Sequence, residues 1–334
     1  MKITKKLLAI LMAACLVLTA TACGGSKEPA ASDTPAKPEV SAPAEEATAK
    51  AYHIGFALDT YANPICAQIC KIAEDECKAR GYEITITDGE GDVSKQLADI
   101  SSLIQKKVDA IIVLPANSNA IDEGIEAAYD AGIPIATVLR NTPNVADKLV
   151  CFSGTDDVEL GSIGGQWIAD VTGGKGKIVY ITGRTGVSTA ENRTVGFHQV
   201  VDQYPDLEIV AEQDGNYSRA DAMTQMEAIL QANSEIDAVW CANDEMAGGV
   251  CQAISAAGRE GILVGGANFQ SDGYARLMSG EQAADITTPC AMVIPALDAL
   301  ITVLDGGTHT EKVLYYPLDL ITAENADDFK DQLY

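Results

Sequence analysis

The chain has 334 residues, with 48 acidic side chains against 23 lysines and arginines, for a formal charge of −25. A surface of that sign repels polyanions and sets aside DNA or RNA binding. Three scattered histidines (His53, His198, His309) give the cysteines no metal-ligand partners, so neither a metal nor a cofactor is expected.

Three lysines (Lys2, Lys5, Lys6) open the chain, an apolar run follows from Leu7 to Leu18, and Ala20-Thr21-Ala22 precede Cys23. A basic start, a short apolar stretch and small residues before a cut site make a secretory signal. The run is shorter than the roughly 20 apolar residues of a transmembrane helix. A cysteine directly after the cut resembles a bacterial lipoprotein signal: residues 1–22 are removed and Cys23 becomes the lipidated first residue. Ala20 stands where leucine is commonest, and an ordinary signal peptide with a chance cysteine is the plainer alternative. Residues 23–50 are rich in Ala, Pro, Ser, Thr, Glu and Lys, with little to bury, and read as a disordered tether. The expected location is the outer face of the cell membrane.

From Tyr52 onward short apolar strands alternate with amphipathic helices. Strands are expected at 52–58, 82–88, 110–114, 133–139 and 149–153, then again at 177–182, 208–213, 238–241, 262–266 and 283–286. Asn63 and Pro64 open the first helix and Gly81 closes it. Further helices are expected at 94–107, 118–130, 188–204, 218–232, 244–257 and 289–304, with a last strand at 313–320. Gly161-Ser162-Ile163-Gly164-Gly165 lies in a helical stretch and permits close packing. Strands alternating with helices mean right-handed βαβ units and parallel sheets. Such sheets bind ligands beyond the carboxyl ends of their strands. Cys66, Cys70 and Cys77 fall on one helix face beside Ile65, Ile69 and Ile72 and suit a core. Cys151, Cys241, Cys251 and Cys290 bring the body to seven cysteines, so at least one has no internal disulfide partner.

Several segments in series carry a resemblance: Asn63-Pro64, Thr155-Asp156-Asp157, Ser188 to Phe197, Ala242-Asn243-Asp244-Glu245-Met246-Ala247, Val264 to Gly273, and Ile321 to Asn325. The chain resembles the periplasmic sugar-binding proteins of the ribose-binding type, the substrate-capturing subunits of ABC importers. The resemblance implies an α/β fold of two Rossmann-like lobes with parallel sheets joined by a three-strand hinge, the type I periplasmic binding protein fold. The first lobe would be 51–154 plus 289–316, the second 155–288 plus 317–334. Crossings would fall near Ser153–Asp156, Thr287–Pro289 and Tyr316–Asp319, with ligand held between the lobes.

Carried over by position, the resemblance implies sugar contacts from Asn63, Arg140, Tyr217 and Asn243. Ile65 and Cys66 stand where the family has two aromatics, and Cys66 joins the candidate lining. Leu139 replaces an aspartate, Glu191 an arginine, Asn268 an aspartate and Thr288 a glutamine. Glu191 and Asp59 are candidate replacements for the missing acceptors. Each has a plainer reading: Asn63 as a helix cap, Arg140 paired with a hinge acid, Tyr217 as filler, Glu191 as a solvent-facing acid at a helix start. Arg193 is expected to brace its loop, Asp244 to cap its helix and orient its neighbours, and Trp167 and Trp240 to pack. Tyr61 and Phe269 are possible stand-ins for the missing aromatics.

The implied function is capture of a sugar or sugar-like polyhydroxy molecule (a polyol, cyclitol, amino sugar or unusual pentose) without chemistry. Expected partners are a permease and its ATPase subunit, with the binding protein a monomer. A ligand-presenting sensor for a histidine kinase or chemoreceptor, a non-sugar cargo, and an enzyme are the alternatives. No Gly-x-Ser-x-Gly elbow or zinc-peptidase pattern supports the last.

Overall fold

A computed structural model describes residues 50–334. The signal, Cys23 and the 23–49 part of the tether lie outside the described residues. The first half runs β1 (His53–Leu58), α1 (Pro64–Ala79), β2 (Glu83–Asp88), α2 (Val93–Lys106), β3 (Ala110–Val113), α3 (Asp122–Asp130), β4 (Ile135–Val138) and β5 (Cys151–Thr155). The second half runs α4 (Asp157–Thr172), β6 (Lys175–Thr182), α5 (Ser188–Val201), β7 (Asp206–Asp214), α6 (Arg219–Ala232), β8 (Ala238–Cys241), α7 (Asp244–Ala256), β9 (Leu263–Gly265), α8 (Ser271–Ser279) and β10 (Asp285–Ile286). The chain ends with α9 (Val293–Leu304), β11 (Val313–Tyr316) and β12 (Leu320–Ile321).

Two parallel sheets result. One has the order β11-β5-β4-β3-β1-β2, the other β7-β6-β8-β9. Their inner strands are buried along their whole length because helices cover both faces. Ile54, Phe56, Ile112 and Val138 fill one face of the first sheet; Tyr180, Trp240 and Phe197 centre the second core. The chain passes between lobes after β5, after β10 and after β11. Two of these crossings bond to each other: Thr287 N–H donates to the Asp319 carbonyl (3.1 Å), and Asp319 N–H donates to Thr287 Oγ1 (3.0 Å).

Several boundaries differ from expectation for physical reasons. The expected strand 313–320 is broken at Pro317, which lacks a ladder donor, and its two pieces join different sheets: β11 pairs with β5, β12 with β10. The helix expected from 118 begins at Asp122, because Asn117 Oδ1 accepts from the N–H groups of Asn119 and Ala120 in a turn. Helix α8 was not expected; it is nine residues long and buries only Gly273, Arg276 and Leu277, too few positions to show a period. The seven body cysteines are buried and free, with Cys66, Cys70 and Cys77 on the inner face of α1.

Candidate functional site

The strand ends of both sheets meet around one cavity, with about 250 Å³ of atom-free space counting its openings. The first lobe lines it with Asn63 and Ile65 at the start of α1, and with Leu139 and Arg140 after β4. The second lobe supplies Thr189 and Arg193 from α5, Tyr217 before α6, Asn243 before α7 and Asn268 after β9. An outer space lined by Asp59, Arg184, Asn216 and Arg219 shares Asn63, Arg140 and Tyr217 with it.

Local geometry explains why these side chains are available. Asn63 takes the extended cap conformation before Pro64, yet its side chain makes no capping bond. Its Oδ1 is buried without a partner. Asn243 caps α7 by accepting from Met246 N–H through Oδ1 (3.0 Å), which leaves Nδ2 buried and unpartnered. Arg140 Nε and Asn268 Oδ1 are unpartnered as well. Nine in ten or more buried polar groups normally find partners, so four orphans around one cavity stand out. Leu139, Tyr217 and Asn268 also have positive φ (64°, 55° and 110°), where non-glycine residues are strained. Such strain concentrates at ligand clamps.

Charge in the site is held in buried pairs. Arg140 Nη1 donates to Asp59 Oδ2 (2.5 Å) and to the Pro115 carbonyl (2.6 Å). Arg193 Nε donates to Asp157 Oδ1 (2.8 Å) and its Nη1 to the Ala242 carbonyl (2.5 Å). Burial pushes the Asp157 carboxyl up and the Arg193 guanidinium opposes it. Burial also raises the Tyr217 phenol, which shares a hydrogen bond with Thr189 Oγ1 (2.9 Å).

The loop bearing Asn268 is pinned by two buried carboxyl groups. Gln270 N–H donates to Asp244 Oδ2 (2.7 Å), Phe269 N–H to Asp285 Oδ1 (3.1 Å), and Asn268 N–H to the Ile286 carbonyl (2.8 Å). Burial raises both carboxyls; the Asp244 charge and a hydrogen bond to Asp244 raise Asp285 further. The Arg276 guanidinium (3.6 Å) opposes the rise at Asp244. Asp244 orients its neighbours, but the cap of α7 is Asn243 rather than Asp244.

A match to the family described as a periplasmic binding protein domain covers residues 54–308. The chain belongs to the periplasmic binding protein family. Within it the chain is of the sugar-binding, ribose-binding type. This binding protein is 32% identical to the ribose import binding protein of Bacillus subtilis (strain 168), over 95% of this chain and 99% of that one. It is 31% identical to the xylitol-binding protein of Mycolicibacterium smegmatis (strain ATCC 700084 / mc(2)155), over 98% and 88% of the two chains. The arabinose ABC transporter's periplasmic binding protein from Shewanella sp. ANA-3, bound to α- and β-L-arabinofuranose, superposes with a TM-score of 0.80 at 29% identity. That match covers 84% of this chain and 95% of that one.

Of the candidate residues, Asn63, Arg140, Tyr217, Asn243 and Asn268 line the binding protein's cavity, and Asp59 lies beside it in contact with Arg140. Three do not line it. Glu191 is exposed: Thr189 and Arg193, four apart, face the cavity, and the residue midway between them faces away. Cys66 is fully buried in the core of the first lobe, one helical position past Ile65, and desolvation pushes its thiol up to about 12. Thr288 is buried on a crossing segment with Oγ1 unpartnered, outside the lining. Neither aromatic stand-in reaches the cavity: Tyr61 is 47% exposed, and Phe269 packs with Leu277, Ile321 and Ala326. Thr189 was overlooked, although it lies inside the Ser188–Phe197 segment. Arg184 was overlooked because no local pattern marks it.

Proposed function

We propose that this binding protein captures a neutral polyhydroxy molecule, one sugar ring or a short polyol, for an ABC importer. The observation that carries this reading is the convergence of four unpartnered buried polar atoms, Asn63 Oδ1, Arg140 Nε, Asn243 Nδ2 and Asn268 Oδ1, on one small cavity. They offer two acceptors and two donors, the complement of hydroxyl groups that donate and accept. Asp59 Oδ1, buried and unpartnered beside them, adds an acceptor in place of the carboxylate missing at Leu139. Ile65, Leu139 and the Tyr217 ring give the C–H faces of a sugar an apolar surface. The relatives that import ribose and bind xylitol support the same cargo class.

Charge narrows that class. Arg140 is matched by Asp59 and Arg193 by Asp157, so the inner cavity is near neutral, and its lining holds no carboxylate to pair with an ammonium. A cationic amino sugar is disfavoured there. The protein's role is binding without chemistry, in keeping with relatives that are import binding proteins. A permease and an ATPase subunit would receive the closed, loaded monomer.

A thermal-shift series with D-ribose, L-arabinose, xylitol, myo-inositol and D-glucosamine tests this. A ligand at 100 times its Kd adds about 2.7 kcal/mol to the folded state, a rise of roughly 5 °C or more. One neutral compound is expected to raise Tm, and Asn243→Ala to remove the rise. A response to glucosamine alone, or to none of the five, would reject the assignment. Anchoring through Cys23 is part of the same proposal. Cells fed radiolabelled palmitate are expected to label the protein and not its Cys23→Ser variant; equal labelling, or none in either, would reject it.

A further inference from the structure

We infer that Arg184 is a positioning residue that latches the two lobes together through Asp59. The inference rests on the interlobe cavity being the ligand site. Arg184 follows β6 of the second sheet, and Asp59 follows β1 of the first. Arg184 Nη2 donates to Asp59 Oδ2 (2.8 Å) and to the Ala116 carbonyl (2.8 Å), both in the first lobe. Among the described residues this is the one ion pair that joins the lobes. The other bonds across the cleft mouth are neutral: Ser118 N–H to the Gly186 carbonyl (2.9 Å), Ser188 N–H to Ser118 Oγ (2.8 Å), and Asn141 N–H to Ser188 Oγ (2.9 Å).

The oxygen that Arg184 takes is already in use. Asp59 Oδ2 accepts from Arg140 in its own lobe, so closure brings a second guanidinium to one carboxylate oxygen. Asp59 is 1% exposed, where a carboxylate needs compensation. With the lobes apart, Arg140 alone answers that charge. With them together, Arg184 shares it, and Arg140 is left with a net positive charge and an unpartnered Nε at the cavity. Closure and the donor strength of the ligand-facing arginine are thereby joined through one carboxylate. Arg184 lies outside the inner cavity and acts through Asp59, so its effect is on closure and not on which hydroxyl pattern is chosen.

The amides of Ser118, Asn141 and Ser188 report closure directly, since each donates across the cleft. Hydrogen–deuterium exchange of the ligand-free full chain, resolved to single residues by fragmentation, compares wild type, Arg184→Ala and Arg184→Lys. Arg184→Ala is expected to speed exchange at these three amides by about tenfold, the scale of a close charge pair between two surfaces. Arg184→Lys, which keeps the charge on a differently shaped head, is expected to recover part of the protection. The Ala190 amide, bonded to Val187 within the same loop and helix, is the internal control. Unchanged exchange at the three amides in Arg184→Ala, or an equal rise at Ala190, would overturn the latch. Because no ligand is present, either failure leaves the cargo assignment standing.

Discussion

Arg140→Ala is expected to weaken ligand capture and to cost the fold about 3 kcal/mol. The guanidinium is 2% exposed and bonds both Asp59 and the Pro115 carbonyl, so its loss strips a buried carboxylate of its nearest partner. Breaking a buried pair from one side costs roughly 3–5 kcal/mol. The lower end applies here because Arg184 still reaches the same Asp59 oxygen. Binding suffers separately, since Nε is one of only two unpartnered donors among the four orphaned atoms at the cavity. Losing a hydrogen bond to a charged group costs about 1.5–3 kcal/mol of affinity, or roughly 10-fold to 150-fold in Kd. Arg140→Lys separates the two effects. An ammonium can pair with Asp59 and restore most of the stability, but it cannot also hold the Pro115 carbonyl and present a donor to the cavity. Urea unfolding and calorimetric titration with the ligand found by thermal shift measure each quantity. An Arg140→Ala variant that binds within threefold of wild type would show that the guanidinium serves Asp59 alone.

The rule for parallel sheets marks the loops at the ligand edge but not the residues within them. Asn63, Arg140, Tyr217, Asn243 and Asn268 were singled out by the family resemblance, and each lies in such a loop. The positive φ values of Asn268 and Phe269 have no glycine to announce them. Glu191 and Cys66 failed on helical phase. Each lies next to or between true lining residues, and a rotation of about 100° per residue carries it off the face. Both were placed by their position in the family pattern, and the helical phase, readable in the sequence, argues against them. The loop of Arg184 lies at the ligand edge by the rule for parallel sheets, but its pairing lay beyond sequence reasoning. Its partner is 125 positions away and in the other lobe, and no spacing rule connects two loops that meet only when two sheets close. The break at Pro317 was legible in the residue itself, whereas the antiparallel pairing of β12 with β10 depends on the crossing it follows.

Gly196→Ala is expected to destabilise the second lobe by about 3 kcal/mol or more, a fall in Tm of roughly 6–12 °C. Helices α4 and α5 cross at two glycines. A Cβ on Gly196 would overlap the Val158 carbonyl oxygen and crowd the Ser162 amide; one on Gly161 would overlap the Arg193 carbonyl oxygen. The obstructing atoms are backbone, so no side chain can rotate out of the way, and the helices must part. Overpacking usually costs about 1–3 kcal/mol because some relaxation is available; here little is. Parting them also reaches the site. Arg193 is one turn before Gly196, and its Nε bond to Asp157 spans the same pair of helices. A wider crossing would draw the guanidinium away from both Asp157 and the cavity, and ligand affinity is expected to fall with stability. Val195→Ala, on the outer face of the same helix and 49% exposed, is the matched control, expected to stay within about 0.5 kcal/mol of wild type. If Gly196→Ala unfolds within 1 kcal/mol of wild type, the two helices can separate without loss, and the close crossing is not what holds Arg193 in the cleft.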